Sequence, residues 1–209
     1  IREGVAVEAL RARVPAPAAV LARRGAFAHA RGFGRPLEHG EEVCRRVLGL
    51  FDAVGDRYGW SGADRVALSV AAWMHDVGES IESWGHSRHS AYILQHAPVF
   101  GVDHKGVGLA VLAVLLHEGD DLPRGWKGEW REVIRGSDFD TGRRFGALLY
   151  VAESLAGTSA TASWDPEEER LEIRTRGPLG SEASEKTISK VAGPIREAFG
   201  WEVSWAHAR

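Results

Sequence analysis

From Pro36 to Leu155 the apolar residues recur every three or four positions, and short breaks rich in glycine or proline separate one run from the next. That period buries one face of a helix and nothing on the pleat of a strand, so the segment has to fold as packed helices. Val43, Val47, Leu50, Phe51 and Val54 mark the stripe of a helix over about 36–58, with Pro36 suited to its first turn. Gly59-Trp60-Ser61-Gly62 breaks the chain, and the next run, Ala63 to His75, is apolar nearly all round, which makes it central. Further helices are expected over His89–Gln95, His104–His117 and Asp140–Leu155. Gly78 to Ser87 reads as loop, and so does 118–136 with at most one helical turn, since it carries Pro123, four glycines and two tryptophans.

The ends read differently. Residues 1–34 are rich in Ala and Arg and suggest a short helix over Val5–Arg13 and another over Ala18–Ala30, with Pro15 and Pro17 between them. Beyond Leu155 the period changes: Leu171–Thr175 and Trp201–Trp205 alternate like strands. Ser184–Phe199 is helical in between, although Pro194 argues against its second half. The fold class is therefore mainly α: a helical lead-in over 1–34, a helical bundle over 35–160 and a small strand–helix–strand appendage over 161–209.

Composition removes several functions. Net charge is −3 in 209 residues, so no global positive field recruits nucleic acid or an anionic membrane. The longest apolar stretch, Val107 to Leu116, is too short to span a bilayer. Cys44 is the single cysteine, which excludes an intrachain disulfide and a thiolate cage and fits a reducing cytoplasm. The first sixty residues hold 10 Arg against 7 acidic residues, a faint local preference for anions.

The polar residues on the apolar stripes are the informative ones. His39 stands four before Val43. His75 stands four after Ala71 and is followed by Asp76. Glu153 stands four after Leu149. Three buried helices thus each carry a ligand-type side chain inward. A buried carboxylate without a partner costs several kcal/mol, and a divalent cation removes that cost while accepting both imidazole nitrogen and carboxylate oxygen. This mixed set suits Mn²⁺, Mg²⁺, Fe²⁺ or Zn²⁺ alike. Each residue alone is better read as a satisfied core group or a helix cap; together they favour a metal.

The order His39, His75-Asp76 and a late acid on a long helix resembles the HD superfamily of metal-dependent phosphohydrolases. The runs Ala71-Ala-Trp-Met-His-Asp-Val-Gly78, Gly85-His-Ser-Arg-His-Ser-Ala-Tyr-Ile-Leu94 and Phe145-Gly-Ala-Leu-Leu-Tyr-Val-Ala-Glu-Ser-Leu155 narrow it. They are similar to the C-terminal half of the exopolyphosphatase/guanosine pentaphosphate phosphohydrolase (Ppx/GppA) family. The resemblance implies an HD-type bundle with metal ligands His39, His75, Asp76 and Glu153. It further implies a phosphate ester or anhydride as substrate, a nucleotide or polyphosphate among them. Asp76, His86, Arg88 and His117 are the candidate catalytic residues, with His86 or His117 moving protons and Arg88 holding phosphate. By the same resemblance His86, His89 and His117 could serve a second metal, although His89 and His117 are expected to face solvent at helix ends. The family has Asp where Glu153 stands and a His where Ser87 stands. Its actin-like phosphatase half has no counterpart here, and Ile1-Arg-Glu-Gly-Val resembles the segment that follows that half. The alternative role is a non-catalytic module of a longer exopolyphosphatase, binding polyphosphate or a guanosine alarmone or joining two copies as a homodimer.

Overall fold

The computed structural model describes residues 17–118, 122, 125–126, 130–175 and 182–207. The helix expected over Val5–Arg13 lies outside them, and the 118–136 stretch lies partly outside. The chain forms α1 (Ala18–Gly32), α2 (Leu37–Tyr58), α3 (Gly62–Met74), a 3-10 turn (Val77–Ser80), α4 (His86–His96), α5 (His104–Leu116) and α6 (Ser137–Ser154). A small α/β unit follows: β1 (Thr161–Asp165), β2 (Arg170–Thr175), α7 (Glu182–Phe199) and β3 (Glu202–His207).

Local chemistry fixes the central helices. Ser61 and Asp64 form a reciprocal cap at the head of α3: the Asp64 amide donates to Ser61 Oγ at 3.3 Å, and the Ser61 amide donates to Asp64 Oδ2 at 2.7 Å. Asp103 Oδ1 accepts from the Gly106 amide at 2.7 Å and caps α5. Helix α5 is buried from Gly108 to Leu115 and packs against α3, α4 and α6, so it is the axis of the bundle. Helix α6 lies close on it because Gly142 has no side chain; a Cβ there would sit 2.6 Å from Leu112. Helix α1 belongs to the same core. Its buried Ala22, Ala26 and Ala30 face α3, and Phe27 meets the edge of Trp73 at 5.4 Å.

Three details depart from the sequence reading. Helix α4 starts at His86 rather than His89, directly after Gly85 in a left-handed conformation (φ 66°). Strand β1 was not anticipated. Its Thr-Ala-Ser-Trp-Asp sequence does alternate, but over five residues with a single large apolar side chain, and it pairs antiparallel with β2 from Thr161↔Arg174 to Asp165↔Arg170. Helix α7 runs through Pro194 to Phe199, because the stripe Val191, Ile195 and Ala198 is buried on both sides of the proline and that burial outweighs one missing hydrogen bond. The crossover through α7 brings β3 parallel to β2, giving the order β1-β2-β3.

An aromatic seam joins this unit to the bundle. Tyr58 stacks on Trp60 at 5.2 Å, Phe199 on Trp201 at 4.1 Å, and Trp201 on Trp164 at 3.8 Å. Across the same junction Arg46 donates to the carbonyls of Ala160 and Thr158 at 2.6 and 2.9 Å. Among the described residues no helix is long and apolar enough to cross a membrane.

Candidate metal centre

Helix ends converge on Asp76. His39 sits in the first turn of α2, His75 closes α3, His86 opens α4 and His117 closes α5. Asp76 lies in the turn after α3, and the chain beyond it folds back tightly onto α4. That return depends on Gly78, whose amide donates to Ser90 Oγ at 2.8 Å; a Cβ at this position would strike the His86 carbonyl and the Ser90 amide. His75, Asp76, His86 and His117 are buried, and the side chain of His39 remains about a third exposed.

The carboxylate divides its two oxygens between two groups of ligand-type atoms. Asp76 Oδ2 lies 3.3 Å from His39 Nε2, and Oδ1 lies 3.3 Å from His75 Nε2 and 3.4 Å from His86 Nε2. His117 Nε2 lies 3.4 Å from Glu153 Oε2 on α6. Two sets have ligand atoms all within 4.8 Å of one another: His39, His75 and Asp76, and Asp76, His86 and His117. Glu153 meets the second set through His117 rather than joining the first.

The hydrogen bonds outside the cluster fix the rings. His75 Nδ1 is 2.8 Å from the Ala72 carbonyl, and His117 Nδ1 is 2.6 Å from the Val114 carbonyl. A carbonyl only accepts, so each Nδ1 carries the proton and each Nε2 presents a bare lone pair inward. His86 Nδ1 approaches the Ser83 carbonyl in the same sense at 3.3 Å. The inward atoms are therefore acceptors facing acceptors. His75 Nε2, His86 Nε2, His117 Nε2, Asp76 Oδ1 and Glu153 Oε2 are all buried with no hydrogen-bond partner among the described residues. Orphaned buried acceptors are rare, and the four around Asp76, with Glu153 Oε2 beside His117, fit a cation at either group, with the Nδ1–carbonyl bonds as the outer support expected of histidine ligands.

Without a cation, protons have to occupy these gaps, and the electrostatics follow. Asp76 beside it raises His39, and Asp76 with Glu118 nearby raises His86 to about 9 against the cost of burial. Burial pushes the Asp76 carboxyl up, yet the His39 and His86 imidazoles pull it further the other way and leave it well below the carboxylate range. Burial, with Asp76 close by, lifts Glu153 to about 7. Burial lowers His75, and burial together with the neighbouring His75 lowers His117 to about 3.

His39, His75, Asp76, His86 and His117 thus form one cluster with Glu153 at its far side. His117 is fully buried, which corrects the solvent-facing position expected from its place at a helix end. Residue 117 follows the last turn of α5, and Glu153 on distant α6 comes over it. Arg88 is exposed and His89 half-buried on the first turns of α4. The Arg35 guanidinium reaches the cluster, 3.6 Å from Asp76 and 2.5 Å from Glu79. Sequence reading missed it, because Arg35 lies in the α1–α2 turn, where no periodicity marks a residue as inward. Its one signal is its position directly before Pro36, at the head of the helix that carries His39.

Residues 26–121 match the family described as Ppx/GppA phosphatase, domain III. Over 74 residues, 35% of this chain, the sequence is 38% identical to a guanosine-5'-triphosphate,3'-diphosphate pyrophosphatase of Pseudoalteromonas atlantica, and the matched stretch spans 15% of that relative's length. The family match takes in all five members of the cluster and stops short of Glu153 and the α/β unit.

Proposed function

Proceeding from a chain that belongs, through residues 26–121, to the Ppx/GppA phosphatase family, we propose that it is a metal-dependent phosphohydrolase of HD type. Its substrate is a phosphate ester or anhydride, a nucleotide or a polyphosphate. The observation that carries this reading is the set of buried acceptor atoms without partners, four around Asp76 and Glu153 Oε2 beside His117. His39, His75 and Asp76 are the ligands of a divalent metal, Mn²⁺, Mg²⁺, Fe²⁺ or Zn²⁺. Asp76, His86 and His117 form a second ligand face, with Glu153 beside it. Such an ion, when bound, polarises a phosphoryl oxygen and acidifies water.

The chain's own residues supply the rest. Arg35 holds the Asp76 carboxylate in place and balances its charge. The Nδ1–carbonyl bonds of His75 and His117 keep their rings from turning. With the second face empty, His86 is the group suited to move a proton, since its Nδ1 lies 3.7 Å from Glu118, which is partly exposed and can exchange with solvent. His117 is less suited to that role, because burial holds it neutral. Arg88 is assigned the outer, non-reacting phosphates.

A second reading keeps the fold without turnover, as a module that binds polyphosphate or a guanosine alarmone, or joins copies, for an actin-like phosphatase domain. It is favoured by the short share, 15%, of the relative that this chain matches. Metal content of the protein as purified, followed by Mn²⁺-dependent hydrolysis of p-nitrophenyl phosphate, GTP and polyphosphate, separates the two. Phosphohydrolase function expects bound metal, measurable turnover and loss of both in Asp76→Ala. Salt-sensitive polyphosphate binding with no turnover on any substrate would establish the module instead.

A further inference from the structure

Helices α1 and α2 both rest on α3 but scarcely touch each other. The trough between them is a groove of about 920 Å³ on the far side of Trp73 from the metal centre. Half-buried Phe27 and Leu48 line its floor with Trp73, and Cys44 Sγ lies 3.4 Å from Ser69 Oγ there. Its rim carries Arg23, Arg24, Arg45 and Arg65 against one acid, Glu41. Arg23 is matched to Glu41 at 3.5 Å, and Arg65 grips Asp52 with two bonds of 2.7 and 2.8 Å. Among the described residues neither Arg24 nor Arg45 touches a carboxylate, although Glu42 lies near enough to feel Arg45, so the groove presents two guanidiniums free of direct ion pairs over an aromatic floor.

Trp73 adds an independent observation. It is 4% exposed, and its indole N–H has no hydrogen-bond partner among the described residues. Its ring borders the groove on one side and the pocket of His39, His75 and Asp76 on the other. The ring thus gives a ligand in the groove an aromatic wall.

We propose that this groove is a second binding site, for an organic anion with a flat heteroaromatic body, the class to which nucleotides belong. The volume lies in the range of small-molecule sites, roughly 300–1,000 Å³. A bare phosphate has no use for the Phe27 and Leu48 floor, and a neutral apolar molecule leaves Arg24 and Arg45 unmatched. Guanidinium groups serve both parts of such a ligand, stacking on the ring and forking onto phosphate. The site stands apart from the metal centre and does not depend on whether that centre turns over.

The test is equilibrium binding of a fluorescent nucleoside diphosphate, mant-ADP, to the whole chain in excess EDTA, which silences the metal centre. Saturable binding is expected, weakened about 10-fold or more in the Arg24→Ala/Arg45→Ala variant and unchanged in Asp76→Asn. Arg24 and Arg45 are exposed, so an unaltered thermal melt of the double variant shows that the fold survives. Unlabelled ADP should displace the probe far better than either tripolyphosphate or adenosine. The proposal fails if no saturation is reached, if the double variant binds as the parent does, or if Asp76→Asn abolishes binding. It fails equally if tripolyphosphate alone, or adenosine alone, competes as well as ADP.

Discussion

The imidazoles of His75, His86 and His117 are already committed on the outer nitrogen, so a cation and a proton would compete for the inner one. The sign of the pH dependence follows. In metal-free protein His86 keeps its proton up to about pH 9 and Glu153 up to about pH 7. A cation has to displace those protons, so metal affinity is expected to rise with pH, about 10-fold per unit between pH 7 and 9 and more steeply below 7. Calorimetric titration in buffers of different ionisation enthalpy reads the released protons directly; uptake without release would remove His86 and Glu153 from the ligand set. His117 acts on stability in the opposite range. Its folded pKa, about 3, lies below the ordinary histidine value, so the unfolded chain binds the proton first. The stability tied to His117 is present above about pH 6.5 and is lost as pH falls toward 3. His117→Gln should flatten that acid limb in a series of denaturant melts of metal-free protein, and an unchanged limb would contradict a buried neutral imidazole. His39, His75 and Asp76 were legible because they stand on or beside apolar stripes. The burial of His117 was not, because the residue that covers it, Glu153, is 36 positions away and only tertiary packing brings it there.

The elements that carry these side chains are held by short-range devices, and two of them can be tested singly. Ser61→Ala removes the cap of α3, whose other end bears His75. A cost of about 1 kcal/mol is expected, read as a lower denaturation midpoint with metal content retained. Gly78→Ala is harsher, since a methyl group would meet the backbone of α4. Displacement of the Asp76 turn should cost on the order of 1–3 kcal/mol and weaken metal binding as well; normal metal content in this variant would mean that the turn adapts freely. The helices themselves were legible from period alone, within a few residues. Strand β1 was not, because the alternation of Thr161–Asp165 is short and only Trp164 in it is large and apolar, so its pairing with β2 is what makes it a strand. Pro194 misled for the complementary reason: local propensity opposed the end of α7, and burial of Ile195 and Ala198 prevailed.

At the scale of the whole molecule, the α/β unit is fastened to the bundle by aromatic surface rather than by continuous sheet or helix. Trp201 is the centre of that seam, 4% exposed between Phe199 and Trp164. Trp201→Ala is expected to cost about 3–5 kcal/mol and to expose the chain around 158–160 to limited proteolysis before the bundle unfolds. A single cooperative transition with unchanged cleavage would show that the seam is dispensable. The change of period near Leu171 made the existence of this unit legible in the sequence, whereas its docking was not, since the contacting rings come from α2, α7 and β1 and from the turns that follow α2 and α7. The bundle also has a directional property. His75 and His117 terminate α3 and α5, two buried helices whose carboxyl ends therefore point at the same spot. Each carboxyl end brings partial negative charge there, about half an electronic charge, while the amino ends of α2 and α4, which carry His39 and His86 to the same spot, bring about as much of the opposite sign. The four helix dipoles therefore nearly cancel, and what a cation arriving there would meet is the Asp76 carboxylate itself, with Arg35 3.6 Å away as its one standing counter-charge among the described arginines.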